Sequence, residues 1–310
     1  MDVPLPSPFP LPSSTSPFHS PPSLFPLRPA IEVRHLWYWY ENHIPALQDV
    51  SLTIEQGEYV AIIGQNGSGK TTLVKHFNGL LKPRQGKVFV EGEDAEKRSV
   101  GELARRVGYV FQNPDHQIFC TTTREEIAFG LRNLGFSEGE VRERTEEALR
   151  LFGLAEHAEV PPAILGYGLR RKVTLAAVYA MRPPILVLDE PTTGLDWRST
   201  RELLGRVAQL HQEGHTIVLV SHDMKLVAEF SQKTLVLGQG RVLLHDATRE
   251  VFKQEELLTR TFIAPPPITA LSRRMRPYGM RGDSLTVGEF YDEYTQIRER
   301  RGELRRELEL

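Results

Sequence analysis

The run Gly64–Thr71, GQNGSGKT, limits this chain more than any other stretch, because it stands directly behind the short apolar segment YVAII and ahead of TLVKHF. Its spacing is G-x-x-x-x-G-K-T. A buried strand that runs into a glycine-rich turn and then into a helix brings backbone N–H groups and the positive end of the helix to one point, where anions bind. Gly64, Gly67 and Gly69 allow the tight turn and let N–H groups approach oxygen closely, with Gln65, Asn66 and Ser68 completing the loop. In such a loop Lys70 is expected to reach the β- and γ-phosphates of a nucleotide, Thr71 to bind Mg2+ through its hydroxyl, and Thr72 to share the binding turn.

A second landmark is ILVLDE, Ile185–Glu190. Four apolar residues read as a buried strand, so the two acids emerge at its C-terminal end, the edge where open α/β sheets bind ligands. Asp189 would hold Mg2+, directly or through water, and Glu190 would orient and polarise an attacking water.

The rest of the pattern accommodates such a site. IEVRHLWYWY from Ile31 alternates as a strand, and LQDVSLTI is a second one; both precede the glycine-rich loop. Beyond it, strand-like KVFVEGE, VGYVFQ, ILVLDE and HTIVLVSH alternate with helical segments, including TREEIAFGLRNLG, SEGEVRERTEEALRLFGL and LRRKVTLAAVYAM. The expected fold is α/β, with a mostly parallel sheet, a small antiparallel β subdomain and a helical subdomain over about 113–180. Residues 1–29, dense in Pro and Ser, read as a disordered extension, residues 30–252 as one domain and residues 253–310 as a C-terminal extension whose charged end forms a solvated helix.

Composition excludes several classes. Among 310 residues the net charge is −2, so no basic surface argues for a nucleic-acid partner. The lone Cys120 forms neither an internal disulfide nor a cysteine-based zinc site. No apolar run reaches the roughly 18 residues of a bilayer span, and the proline-broken N-terminus lacks a basic n-region. The sequence therefore predicts a cytoplasmic chain whose membrane role is peripheral.

Phosphate loop and carboxylate strand together fit many P-loop NTPases. The longer run DEPTTGLD, Asp189–Asp196, is narrower and resembles the Walker B and D-loop of ABC ATPases. His222 in LVSHD is similar to that family's switch histidine, Gln112 in VGYVFQNP to its Q-loop glutamine, and Tyr40 to the aromatic that stacks on adenine, with Trp37, Tyr38 and Trp39 as neighbouring candidates. The resemblance covers about residues 31–250, in order and spacing. It implies that ATP with Mg2+ is bound and hydrolysed, that His222 contacts the γ-phosphate and holds Glu190 and water in line, and that Gln112 touches Mg2+ and water. It also implies that Asp196 lies at the interface with a second ABC ATPase subunit.

One segment departs from the family. The Leu-Ser-Gly-Gly-Gln signature, which clamps ATP on the opposite subunit, is matched by Leu165-Gly166-Tyr167-Gly168-Leu169. The hydroxyl and the amide are missing, while Gly166, Tyr167 and Gly168 still open a helix whose N–H groups can hold phosphate. Slower hydrolysis at that site, or mere retention of ATP there, is the expectation; the two ATPase subunits form a homo- or heterodimer, and the asymmetry hints at a heterodimer. The stretch FQNPDHQIF…TREEIAFG resembles energy-coupling-factor and cobalt/nickel-type ATPases. That implies a peripheral ATPase pair on the cytoplasmic face of the membrane, docked through residues 113–135 on a transmembrane coupling protein that engages a substrate-binding membrane subunit, importing a vitamin or a transition-metal ion. A non-transport ABC ATPase, or a weakly catalytic regulatory subunit of a heterodimeric pair, are the alternatives.

Overall fold

The computed structural model describes residues 28–41 and 44–308, with side chains through residue 300. The Pro- and Ser-rich stretch therefore lies, up to residue 27, outside the described residues. The chain opens with β1 (Ile31–Trp39) and β2 (Pro45–Ile54), whose alternating burial gives each a core face and a solvent face. Next, β3 (Tyr59–Ile63) is buried along its whole length and delivers the chain into the glycine-rich loop and α1 (Lys70–Phe77). The pair β4 (Gln85–Val90) and β5 (Glu93–Asp94) precedes α2 (Val100–Ala104), which starts at a reciprocal capping box between Ser99 and Glu102.

After β6 (Val107–Val110), three helices intervene before the sheet resumes: α3 (Thr123–Asn133), α4 (Glu138–Leu151) and α5 (Tyr167–Met181). Thr122 and Ser137 cap the first two by accepting from the third backbone N–H inside each helix. Then come β7 (Ile185–Asp189), α6 (Trp197–Gln212), β8 (Thr216–Val220), α7 (Met224–Phe230), β9 (Lys233–Gly238) and β10 (Arg241–Ala247). The chain ends through α8 (Thr248–Lys253), α9 (Glu255–Arg260), α10 (Pro267–Arg274) and α11 (Val287–Leu308).

The strands form two sheets. One is antiparallel, ordered β2-β1-β4-β5, and the other has six strands ordered β10-β9-β3-β8-β7-β6, parallel except for the β9–β10 hairpin. This is the α/β architecture the sequence predicts. The β3, β7 and β8 strands are buried at every position, as parallel strands covered on both faces must be. Fully burying each of their Val, Ile and Leu side chains contributes about 1.5–3 kcal/mol.

Three apolar clusters hold the layers. One joins α3, α4, α5 and α6 to the sheet through Ile127, Leu149, Val173 and Leu188. A second fills the space between the two sheets and around α1 with Leu36, Ile54, Phe77 and Val187. The third brings Leu258, Ile263 and Leu285 from the C-terminal stretch against Ala61, Ile63 and Val236. Of the apolar residues on α3, Ile127 and Leu131 are buried, while Phe129, two positions from each and so turned to another face of the helix, is 42% exposed.

Candidate active site

Because β3, β6, β7 and β8 are parallel neighbours in one sheet, the loops that leave their C-terminal ends meet along one edge. Register pairs Asp189 with Val220 and Val110 with Leu188, so Gln112, Asp189, Glu190 and His222 all emerge there beside the glycine-rich loop.

The loop itself is shaped by close backbone approach. At Gly64 a Cβ would lie 2.2 Å from the Leu237 carbonyl oxygen, and at Gly69, whose φ is +101°, it would lie 2.6 Å from the Ala46 oxygen. Lys70 donates from Nζ to the Gly64 and Gln65 carbonyls at 2.8 Å each, curling back over the loop it follows. Burial pulls its pKa down, and the nearby Glu190 and Asp189 charges act against that. The Ser68 hydroxyl is buried with no hydrogen-bond partner among the described residues. Gln65, Asn66 and Gly67 are exposed, and the first residues of α1, Lys70, Thr71 and Thr72, follow Gly69, whose backbone caps the helix without a side-chain hydrogen bond.

Facing the loop, β7 carries the carboxylates. Asp189 is 1% exposed; Oδ2 accepts from the Tyr109 hydroxyl at 2.9 Å, while Oδ1 is buried with no hydrogen-bond partner among the described residues. Burial, then Asp189, pushes the Tyr109 phenol up, so it stays a donor. A carboxylate oxygen left in this way beside the loop, with the Ser68 hydroxyl equally unclaimed, suits a hydrated divalent cation and phosphate oxygens. These residues thus fit Mg2+ with a nucleotide.

Glu190 comes next, with φ +49°, a left-handed backbone that a non-glycine residue adopts only when its surroundings hold it. Its N–H donates to the Val220 carbonyl at 3.0 Å. Its Oε2 lies 2.7 Å from His222 Nδ1, and an ionised carboxylate only accepts, so the imidazole donates there. Burial raises the Glu190 carboxyl above its ordinary range, with His222 and Lys70 pulling it back down. The His222 side chain is 68% exposed, which leaves its far edge open to solvent.

Tyr40 stands just beyond β1, 45% exposed, its hydroxyl 3.1 Å from Thr72 Oγ1. Of the four neighbouring aromatics, Tyr38 is buried and packs edge-on against Tyr40 and His76, Trp37 and Trp39 are half-buried, and Tyr40 is the exposed ring. Gln112 lies on the exposed loop after β6. The signature-like segment forms the start of α5: Gly166 caps the helix without a side-chain bond, and Gly168 sits near Leu195. The Tyr167 ring lies over Gly194, where a Cβ would meet it at 2.6 Å. Asp196 caps α6, accepting from Ser199 N–H at 2.7 Å, and that bond lowers its pKa.

Two residues escaped the sequence reading. One is Tyr109, on a strand where its hydroxyl gave no signal. The other is Arg171, fully buried on α5 and bonded to backbone carbonyls on both sides of the site. Its signal was available: with Leu175 and Val178 it repeats at the helical spacing of a buried face, where a charge stands out.

A glycine-rich loop, a buried aspartate and a glutamate–histidine pair on one parallel-sheet edge, with three helices inserted between β6 and β7, define an ATP-binding cassette. A family profile described as ABC transporter matches residues 47–193. Among curated relatives, the energy-coupling factor transporter ATP-binding protein EcfA of Methanothermobacter thermautotrophicus is 41% identical over 270 residues, 86% of this chain and 87% of that protein. EcfA of Methanoculleus marisnigri is 45% identical over 254 residues, 82% of this chain and 92% of that protein. A putative ABC transporter ATP-binding protein of Caldanaerobacter subterraneus is 44% identical over 79% of this chain, which spans only 43% of that protein's length.

The solved structure of cbiO1 from Clostridium perfringens, part of the ABC transporter complex cbiONQ, superposes with a TM-score of 0.66 at 33% identity, covering 79% of this chain and 98% of that one. The dimeric cassette MJ0796, in a post-hydrolysis state bound to ADP and Pi, gives a TM-score of 0.65 at 28% identity, covering 70% of this chain and 98% of that one. The chain belongs to the ATP-binding proteins of ABC transporters, on the energy-coupling-factor branch, and is an ABC ATPase. Among the described residues no helix is long and apolar enough to cross a membrane.

Proposed function

We propose that this chain holds ATP across Gly64–Thr72 with the adenine against Tyr40, and cleaves the γ-phosphate with a water activated at Glu190. The observation that carries the reading is the Glu190–His222 pair, 2.7 Å apart, beside Lys70 and an Asp189 oxygen that no group among the described residues claims. Lys70 and the N–H groups of the loop bind the phosphates. Thr71, Asp189 and Gln112 hold Mg2+, which when bound neutralises charge on the phosphate oxygens. Glu190, its basicity increased by burial, takes the proton of the water; His222 fixes the carboxylate through Nδ1 and presents its other edge to the γ-phosphate.

The chain acts as a peripheral subunit on the cytoplasmic face of the membrane, paired with a second ABC ATPase. The pair docks on a transmembrane coupling protein that engages a substrate-binding membrane subunit and imports a vitamin or a transition-metal ion. Phe119 and Phe129 support a docking role for residues 113–135: they are 63% and 42% exposed and meet edge to face at 4.6 Å, a surface knob suited to an apolar helix. A weakly catalytic partner role remains a second reading, favoured by Tyr167 and Leu169 in the signature segment.

Affinity purification from membranes tests the assembly: small hydrophobic proteins should co-purify, and their bound ligand identifies the cargo. Recovery with DNA, ribosomes or soluble proteins alone would reject transport. Lys70→Ala should abolish nucleotide retention by the purified complex.

A further inference from the structure

Arg171 stands among the largest side chains with no exposed surface, a cation placed in the core of an ATPase. Among the described residues no carboxylate oxygen bonds to it. Nε donates to the Pro191 carbonyl at 2.9 Å, and the two terminal nitrogens donate to the carbonyls of Phe111 and Glu190. Burial lowers its pKa, while Tyr167 and the Asp189 and Glu190 charges raise it; a guanidinium remains protonated against such influences.

What those carbonyls belong to matters. Phe111 is the residue before Gln112. Glu190 carries the carboxylate paired with His222, and its φ of +49° needs support from its surroundings. The planar fork of a guanidinium reaches three acceptors in fixed directions, which a lysine ammonium on a flexible stem does not reproduce. Arg171 also rides on α5, the helix that begins at Gly166–Tyr167. The same helix grips the segment after Phe111 at two further points: Arg170 pairs with Asp115 at 3.2 Å, and the Thr174 carbonyl accepts from Gln117 Nε2 at 3.1 Å.

We propose that Arg171 is a positioning residue, whose fork locks the Glu190 backbone to the Phe111–Gln112 loop so that helix α5 carries glutamate and glutamine as one unit. This rests on the roles of Glu190 and Gln112 proposed above. A displacement of α5 by a partner subunit then changes hydrolysis without touching the phosphate loop.

The test uses the full chain with the partners it co-purifies with, comparing Arg171→Met, Arg171→Lys and Glu190→Gln in ATP titrations. Loosening a catalytic group by about 1 Å costs on the order of a hundredfold, so Arg171→Met should lower kcat by about ten- to a hundredfold while KM for ATP stays within about twofold. Arg171→Lys, which keeps the charge and loses the fork, should recover only a minor part. A kcat within twofold of wild type in Arg171→Met overturns the inference, as does a KM that rises in step with the loss of kcat, the mark of a merely structural role. If Arg171→Met does not fold, Arg171→Lys and Arg171→Gln are judged by the same criteria. Glu190→Gln separates the two layers: if it leaves turnover intact, the Glu190 assignment itself fails; if it stops turnover while the Arg171 variants match wild type, only the Arg171 inference fails.

Discussion

The phosphate loop before α1 and the turn before α5 both offer a helix N-terminus to an anion, yet they are equipped very differently. At the first, Lys70 folds over the loop, Ser68 presents a buried unclaimed hydroxyl, and Asp189 and Glu190 face the site from the next strand but one. At the second, Gly166 supplies no side-chain cap, Leu169 cannot hydrogen-bond, and Tyr167 turns its ring onto Gly194 of the loop after Glu190. Backbone N–H groups alone make a weak and unselective anion site; adding a cation, a hydroxyl and carboxylates for a metal makes a reaction centre. On the proposed reading, the chain is complete where it would bind its own nucleotide and sparse where it would meet one held by a partner.

The comparison breaks most sharply at Glu190. Glu190→Gln preserves shape and a hydrogen-bonding group for His222 but removes the proposed base, and loss of a general base costs typically about 10²–10⁴-fold. Turnover should fall by about that factor while ATP is retained. Steady-state phosphate release together with nucleotide-binding measurements checks this; turnover within an order of magnitude of wild type would mean that the site at the first loop is not the one that hydrolyses.

The sparse side gives the next largest effect. Gly166→Ser, Tyr167→Gly and Leu169→Gln together restore the hydroxyl, the close approach and the amide. Hydrogen bonds to a charged group contribute about 1.5–3 kcal/mol, so even partial use of one in the transition state should raise turnover of the assembled complex about fivefold. Unchanged or lower turnover would remove the asymmetry from the account. Tyr167→Gly also uncovers Gly194, so the triple variant, rather than the single one, carries the prediction.

Both helix N-termini are legible in the sequence as local runs, whereas the contacts that surround them are not. The phosphate loop is legible because its chemistry is local: glycines, a lysine and a threonine at fixed spacing, between an apolar strand and a helix. The carboxylate strand is legible for the same reason. What could not be read is what depends on distant packing. Tyr109 reaches Asp189 across neighbouring strands, and Arg171 reaches Phe111 and Glu190 from another layer. The β9–β10 hairpin passed unread, although its Gly238-Gln239-Gly240 turn, with positive φ at Gln239 and Gly240, is a strong hairpin signal between apolar runs. Sequence also cannot rank the four aromatics Trp37–Tyr40, because their exposure depends on packing: Tyr38 is buried, the two tryptophans are half-buried and Tyr40 is exposed.

The smallest expected effect comes from the cost of keeping the complete side charged. Burial raises the Glu190 carboxyl above its ordinary value of 4.5, so the folded protein binds that proton more tightly than the unfolded chain does. Stability from this group therefore falls as pH rises from 4.5 through the folded-state pKa, and above it the charged form is a net liability. Glu190→Gln removes the liability and keeps a hydrogen-bonding group for His222, so its melting temperature at neutral pH should exceed that of wild type by about 2–4 °C. The gain should shrink steadily as pH is lowered, vanishing below 4.5 where both states are protonated in wild type. A gain that persists unchanged into acid would show that packing of the amide, and not the buried charge, sets the difference; a loss of stability at neutral pH would mean that the His222 and Lys70 attractions outweigh the burial that opposes them.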